Sequence, residues 1–540
     1  MRAFISKYAW QLALLLIVFP VLITLMSIVS SYGTDDQGAL AHIIRYVLPS
    51  SLLNSLALTA GVCLLAGAIG VTLAWLTVSC EFPLRSFFAW VLFLPLAVPG
   101  YVMAFAFVGL FEYGGSLHGL LRHYRADSGW LLNVYSYGAI VLVLALVLYP
   151  YVYLLARNAF QTLGQRSIEV GQSLGLSVRQ SFFKVALPMA RPWIAGGILL
   201  VAMETLADFG TVAVFNYDTL TTAIYQAWFS LFSLSAALKI AGILLLLVVV
   251  ITVLERHSRR QRQYAEGRNA ARNTKRLQLG FGAQTAALLF CSLIFMLAFV
   301  LPLGQLLYWA LPNLSQELTV RFWSYVSGTV LLATLAMLVV VSMAVALAFI
   351  ARQKKGLVVT SAVRLATLGY ALPGTVLAIG IFVPIGYVDH WLQSKGLSSG
   401  LLQGSLLVMM MAYSVRFLAV AYTPLENNLL RVTPSIDLAA QSLGVAGMAM
   451  LRRVHLPLLG PGIVTAMVLV FVDVMKELPI TLMTRPFGFN TLAVRVFELT
   501  SEGMWERAAL PALAIVVVGF LPVYLLIRST EASPSVRGSQ

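Results

Sequence analysis

Charge is scarce in this chain. Of its 540 residues only 11% are Asp, Glu, Lys or Arg, and 60% are hydrophobic. A soluble protein carries roughly a quarter charged residues, so a water-soluble domain is excluded. Cysteine is almost absent: Cys63, Cys80 and Cys291 have neither disulfide-framework nor zinc-ligand spacing, and they read as small apolar residues in helices. Lysine is also rare. None of the eight lysines follows Gly and precedes Ser or Thr, so the loop that cradles nucleotide phosphates is missing. There is no zinc-type His pair and no nucleophile elbow. An enzyme is therefore not expected, nor a cofactor, nor a tightly bound metal.

What is present is apolar sequence in long runs. Twelve stretches reach the length of about 20 residues that crosses the hydrocarbon core. They lie near 9–31, 52–78, 86–111, 136–156, 193–215, 236–254, 282–310, 326–351, 362–386, 401–423, 462–484 and 508–527. The fold class is thus an all-α polytopic membrane protein. The first run is longer than a signal core and is followed by further spans, so it reads as a retained span. Positive charge dominates, with 36 Lys and Arg against 21 Asp and Glu, and most of it falls in alternate inter-span segments. The positive-inside bias puts both termini in the cytoplasm. The basic excess is a topology signal, and no nucleic-acid partner is expected.

The chain reads as two halves, 1–254 and 282–540, joined by a basic linker at 255–281 with eight Lys or Arg and two Glu. The halves repeat. NSLALTAGVCLLAGAIGVTLAW from Asn54 aligns with GTVLLATLAMLVVVSMAVALAF from Gly328, and AVPGYVMA from Ala97 aligns with ALPGTVLA from Ala371. Six spans per half make the repeat parallel, with an axis along the membrane normal and a path expected between the halves. Pro99-Gly100 and Pro373-Gly374 interrupt spans three and nine. Bends are expected there, as gating elements or as fixed kinks.

One inter-span segment occurs twice, at about 157–192 and 424–461. The first reads EVGQSLG from Glu169 and ends VALP at Pro188; the second reads LAAQSLG from Leu438 and ends VHLP at Pro457. A short surface helix must stop and turn back, and Gly175 and Gly444 permit the backbone angles of such a turn. Leu187-Pro188 and Leu456-Pro457 then open the next spans, since Pro is tolerated in a first helical turn.

These loops resemble the ATPase-coupling motif of ABC importer permeases: Glu-Ala-Ala, three residues, Gly, nine residues, Ile, one residue, Leu-Pro. Glu169, Gly175, Val185, Leu187 and Pro188 match it in the first copy, and Ala439, Ala440, Gly444, Val454, Leu456 and Pro457 in the second. In the second copy Leu438 stands where the motif has Glu, and Asp437, one position earlier, is the candidate to supply the acidic coupling contact from a shifted position. The resemblance implies the type I ABC importer permease fold, an ATPase partner in two copies, one per loop, and a periplasmic solute-binding protein on the outer face. Longer strings, ADFGTVAVFNYDTLTTAIY from Ala207 and DVMKELPITLMTRPFGFNTLAVRVFEL from Asp473, resemble ferric iron permeases with two fused halves. Fused permeases for thiamine and aminoethylphosphonate share that architecture and stay open as alternatives. From another class, an ion-gradient-driven secondary transporter would also show twelve spans and a repeat, but would not need the duplicated loop.

Four carboxylates fall inside spans. Glu204 and Asp208 are one helical turn apart, as are Asp473 and Glu477 at matching positions of the repeat. Charges in a membrane face a partner or a wet path. Hard carboxylate oxygens suit Fe3+, so these residues are candidates for the translocation path. In the competing reading, Lys476 or neighbouring hydroxyls pair with the acids and pin helices together. Arg416, near the cytoplasmic end of span ten, is expected to snorkel to the interface.

Overall fold

The computed structural model describes residues 2–33, 43–115, 117, 119, 133–265, 276–354, 356–396 and 400–531. In chain order the principal helices are α1 (Arg2–Ser31), α2 (Leu48–Ser79), α3 (Arg85–Val91), α4 (Gly100–Phe111), α5 (Tyr137–Ala159), α6 (Gln165–Ser173), α7 (Leu187–Ala207), α8 (Gly210–Val214), α9 (Leu220–Phe229) and α10 (Leu234–Ala265). They continue as α11 (Phe281–Phe295), α12 (Leu301–Glu317), α13 (Val320–Gln353), α14 (Leu357–Leu368), α15 (Gly374–Ser394) and α16 (Leu406–Arg431). The last are α17 (Pro434–Ser442), α18 (Leu456–Lys476), α19 (Pro479–Thr484), α20 (Leu492–Ser501) and α21 (Trp505–Glu531). Extended pairing among the described residues is confined to Cys80–Glu81 beside Leu277–Gln278.

Among the described residues, ten helices are long and apolar enough to cross a membrane, or eleven if Arg85–Ala97 and Gly100–Phe111, bent by 93°, form one span. The twelfth expected run, 508–527, lies within α21. Exposed apolar side chains such as Leu12, Leu15, Leu16 and Met26 on α1 are what lipid-facing helices present. The helix of span six runs on to Ala265, and residues 266–275 of the linker lie outside the described residues.

The chain packs into two compact units. One consists of residues 45–222, 246–317 and 498–540, the other of 1–44, 223–245 and 318–497. In the 45–222 unit, α2, α5 and α7 form the centre, and α12 and α21 pack with each other and with α4. In the 318–497 unit, α13, α16 and α18 form the centre, with α1 against α15 and α14. Contact therefore divides the chain differently from the repeat, because the first helix of each sequence half packs among helices of the other half. For α1 the fit is close: a Cβ on Gly380 would lie 2.5 Å from Thr24 Cγ2. Association in lipid rests on such tight fits, with no hydrophobic drive between helices.

A close approach to backbone at the centre of the 45–222 unit is made at Gly70 of α2. A Cβ there would lie 2.8 Å from Val152 Cβ and 2.9 Å from the Tyr153 nitrogen on α5. Backbone cannot yield as a side-chain tip can. Gly70→Val is expected to cost about 1–3 kcal/mol, the range for overpacking, and to lower the midpoint of thermal unfolding in detergent.

Both Pro-Gly pairs break the helix where only a bend was expected. Pro99 and Pro373 are extended N-caps (ψ 145° and 144°), and α4 and α15 start at the glycines that follow them. The carbonyls freed at each break find donors within the unit. Tyr149 and Tyr153 on α5 donate to Leu92 and Ala89 at 2.9 and 3.0 Å, and Arg157 donates to Ala89 at 2.8 Å. In the other unit, Arg416 Nη1 donates to Leu372 at 3.0 Å. Arg416 is thus an internal donor, correcting the expectation that it snorkels. A charge inside lipid is better used satisfying a stranded carbonyl than stretched to an interface.

Candidate functional site

The two repeated loops have one backbone geometry. In the first, α6 ends in a left-handed Gly175 (φ +82°); Leu176 N–H donates to Gly171 O at 3.0 Å, and Gly175 N–H to Gln172 O at 2.9 Å. In the second, α17 ends in Gly444 (φ +76°), with Val445 N–H to Ala440 O at 2.9 Å and Gly444 N–H to Gln441 O at 3.0 Å. These bonds form a Schellman stop, which satisfies the last helical carbonyls through a left-handed residue. A π-helical turn follows in each, Phe182–Ala186 and Leu451–His455, and leads into α7 and α18 with Pro188 and Pro457 in their first turns. Leu187 and Leu456 are the first residues of these helices.

The side chains differ where the backbone agrees. Glu169 is exposed on α6, and its counterpart Leu438 is 65% exposed on α17. Ala439 is exposed and Ala440 buried. Asp437 sits in the first turn of α17, where its carboxylate accepts Arg352 Nε at 2.8 Å and pairs with His455 Nε2 at 2.9 Å. Burial pushes the Asp437 carboxyl up, but hydrogen bonds from His455 and Arg352 outweigh it and hold the group below the usual carboxylate range. Sequence reasoning missed Arg352, and missed His455 although it stands within VHLP.

The carboxylates inside spans divide into two kinds. Asp208 follows α7 and caps the start of α8. Its Oδ1 accepts Thr211 N–H at 2.9 Å and Val212 N–H at 3.1 Å, and its Oδ2 accepts the Thr211 hydroxyl at 2.8 Å. Glu477 does the same for α19, accepting Ile480 N–H at 3.1 Å and Thr481 N–H at 3.2 Å. The Thr481 hydroxyl donates back to Glu477 O at 2.8 Å, and Tyr413 OH lies 2.5 Å from that hydroxyl. Each cap also abuts a Pro-Gly break. A Cβ on Gly100 would lie 3.3 Å from Asp208 Oδ2, and one on Gly374 would lie 2.8 Å from Glu477 Oε1. Negative charge is thereby placed at the starts of two helices in each unit, where unpaired N–H groups favour it.

Asp208 and Glu477 thus cap the short helices that follow them, with backbone N–H groups and threonine hydroxyls as partners. Glu204 and Asp473, one turn earlier, are half-buried, and Asp473 pairs with Lys476 at 2.8 Å. Among the described residues no group of three or more His, Cys, Asp or Glu is arranged to hold a metal ion.

Comparison with known proteins supplies relatives. Residues 66–263 match the model of the binding-protein-dependent transport system inner membrane component. The Fe(3+)-transport system permease protein FbpB 2 of Haemophilus influenzae is 29% identical over 472 residues, covering 86% of this chain and 87% of that one. The putative 2-aminoethylphosphonate transport system permease protein PhnV of Salmonella paratyphi A is 32% identical over 160 residues, 29% of this chain and 56% of the relative. The sulfate transport system permease protein CysT of Salmonella typhimurium is 28% identical over 146 residues, 27% and 51% of the respective chains. With the helical architecture and the duplicated loop, these matches make the chain similar over most of its length to multi-pass inner-membrane permeases of binding-protein-dependent transport systems, with their type I importer architecture.

Proposed function

We propose that this permease carries ferric iron, delivered by a periplasmic binding protein, across the inner membrane in a cycle driven by two copies of a partner ATPase. The similarity to a ferric iron permease over 86% of the chain carries the reading of the solute. The phosphonate and sulfate relatives match over less than a third of it. Both termini lie in the cytoplasm, where each loop meets one ATPase: the 157–192 loop through Glu169 and the Gly175 turn, the 424–461 loop through Ala439 and the Gly444 turn. ATP closes the ATPases, α6 and α17 follow, and the motion enters the membrane at α7 and α18, whose first turns hold Pro188 and Pro457. The sequence halves 1–254 and 282–540 are the two pseudo-repeats of this machine. Glu204 and Asp473, half-buried one turn before the two capping acids, are the carboxylates that would draw a cation along the path.

The test is uptake of radiolabelled ferric iron by cells lacking the chain, with and without its restoration alongside its ATPase and binding protein. Restored uptake that vanishes when the ATPase is inactivated is the expected result. An assembled complex that leaves iron outside would overturn the solute and move the search to phosphonate, sulfate and thiamine.

A further inference from the structure

The joint that fixes each coupling helix to its membrane bundle is ionic in one loop and apolar in the other. In the 318–497 unit, Arg352 lies one residue before the end of α13 and ties together three elements. Its Nε bonds Asp437 on α17 at 2.8 Å. Its Nη1 donates to Leu429 O of α16 at 2.9 Å, and its Nη2 to Val432 O at 2.8 Å and Thr433 O at 3.3 Å. The guanidinium thus satisfies the last carbonyls of α16 and the carboxylate of α17 at once, a use that its planar fork of donors permits and a Lys ammonium does not. His455, 1% exposed and edge-on to Phe349 at 5.5 Å, holds the other carboxylate oxygen. Asp437 is therefore spent within the chain.

The 45–222 unit places apolar residues at the same joint. By the offset of the repeat, Asp437 corresponds to Ile168, His455 to Ala186 and Arg352 to Val78. Ile168 is 2% and Ala186 1% exposed. Trp75, the counterpart of Phe349, packs 5.4 Å from Phe160 and 4.4 Å from Phe182. Conversely, the exposed position that is Glu169 in this loop is Leu438 in the other. Only the first loop presents an acid at that surface position; on α17 its place is taken by Leu438, 65% exposed, while the exposed Leu443 that follows has its counterpart in Leu174.

We propose that Arg352 is a positioning residue of energy coupling, locking the second coupling helix to its bundle through Asp437 and His455. The two copies of the ATPase consequently meet unequal surfaces, one with a carboxylate and one without. The partner half of this statement rests on the coupling-loop reading above; the lock itself does not.

Two measurements on the full chain separate them. In the complex with ATPase and binding protein, ATPase retention is followed across a salt series, together with solute moved per ATP hydrolysed. Glu169→Gln is expected to weaken retention severalfold and flatten its salt dependence. Asp437→Asn and Arg352→Gln are expected to leave the salt dependence as it was and to lower solute moved per ATP at least threefold. Arg352→Lys, which keeps the charge but loses the carbonyl fork, is expected to recover only part. In the permease alone, thermal unfolding of the single and double variants is expected to show that Arg352→Gln with Asp437→Asn destabilises little more than either change alone. Asp437→Asn that behaves like Glu169→Gln in salt would overturn the proposal, because the carboxylate would then face the partner. Additive melting shifts would overturn the lock. Unchanged retention and coupling in both Glu169→Gln and Gly175→Trp would instead sink the coupling-loop reading, while the melting cycle would still decide the lock.

Discussion

Glu477→Ala is expected to prevent recovery of a well-folded permease, whereas Glu477→Gln is expected to fold and to transport. Glu477 is 6% exposed, and its carboxylate is the acceptor for the N–H groups of Ile480 and Thr481. Alanine leaves both donors buried without a partner, each costing about 1–3 kcal/mol, and removes negative charge from the starts of α19 and α15. The two donors together cost about 2–6 kcal/mol, a large fraction of the stability of a typical domain. Glutamine keeps a carbonyl oxygen at the same reach, so the cap survives without its charge. The corresponding pair at Asp208, Asp208→Ala and Asp208→Asn, should divide in the same direction. Its effect should be smaller, because Asp208 is less deeply buried. Size-exclusion profiles and melting curves in detergent read the fold, and uptake reads the role. If Asp208→Asn combined with Glu477→Gln folds normally yet abolishes uptake, the charges themselves serve the path and the capping account is insufficient.

The second large effect concerns coupling without a loss of fold. Gly175→Trp and Gly444→Trp are each expected to reduce uptake at least about tenfold, which needs only about 1.4 kcal/mol of impaired docking. A left-handed residue with a side chain costs roughly 1–2 kcal/mol, too little to unfold the permease. A Cβ at either glycine would meet nothing within 4 Å, so the indole projects into open space, where the proposed ATPase would dock. The expected signature is a normally folded permease whose bound ATPase hydrolyses ATP without moving solute, or no longer binds. Uptake and coupling at the unsubstituted level in both variants would remove the loops from the mechanism.

Much of this architecture was legible before any coordinate. Most apolar runs lie along single helices because a chain crossing lipid must satisfy its backbone locally, whereas those at 86–111, 193–215, 362–386 and 462–484 are each broken within the run. The loop turns were equally legible. A Gly followed thirteen residues later by Pro, twice, encodes a helix stop and a helix start, and both copies adopt the Schellman geometry those residues favour. The Pro-Gly pairs announced a discontinuity, though not its extent. A full break needs acceptors satisfied from elsewhere, and Tyr149, Tyr153, Arg157 and Arg416 supply those donors from distant helices.

The carboxylates mark where local pattern stops being informative. The i, i+4 spacing of Glu204 with Asp208, and of Asp473 with Glu477, assumed that the helix continues past the second acid. It ends there, and each second acid turns to cap the short helix that follows. Asp437 is similar: one position out of register with the motif, it could face outward or inward, and Arg352, 85 residues away in sequence, draws it inward. Membrane residence, span length, the parallel repeat and the loop turns follow from composition and near-neighbour backbone preference. Which acids are spent inside the fold, and which helices α1 joins, depend on partners brought close only by packing, where one buried donor decides the orientation of a charge.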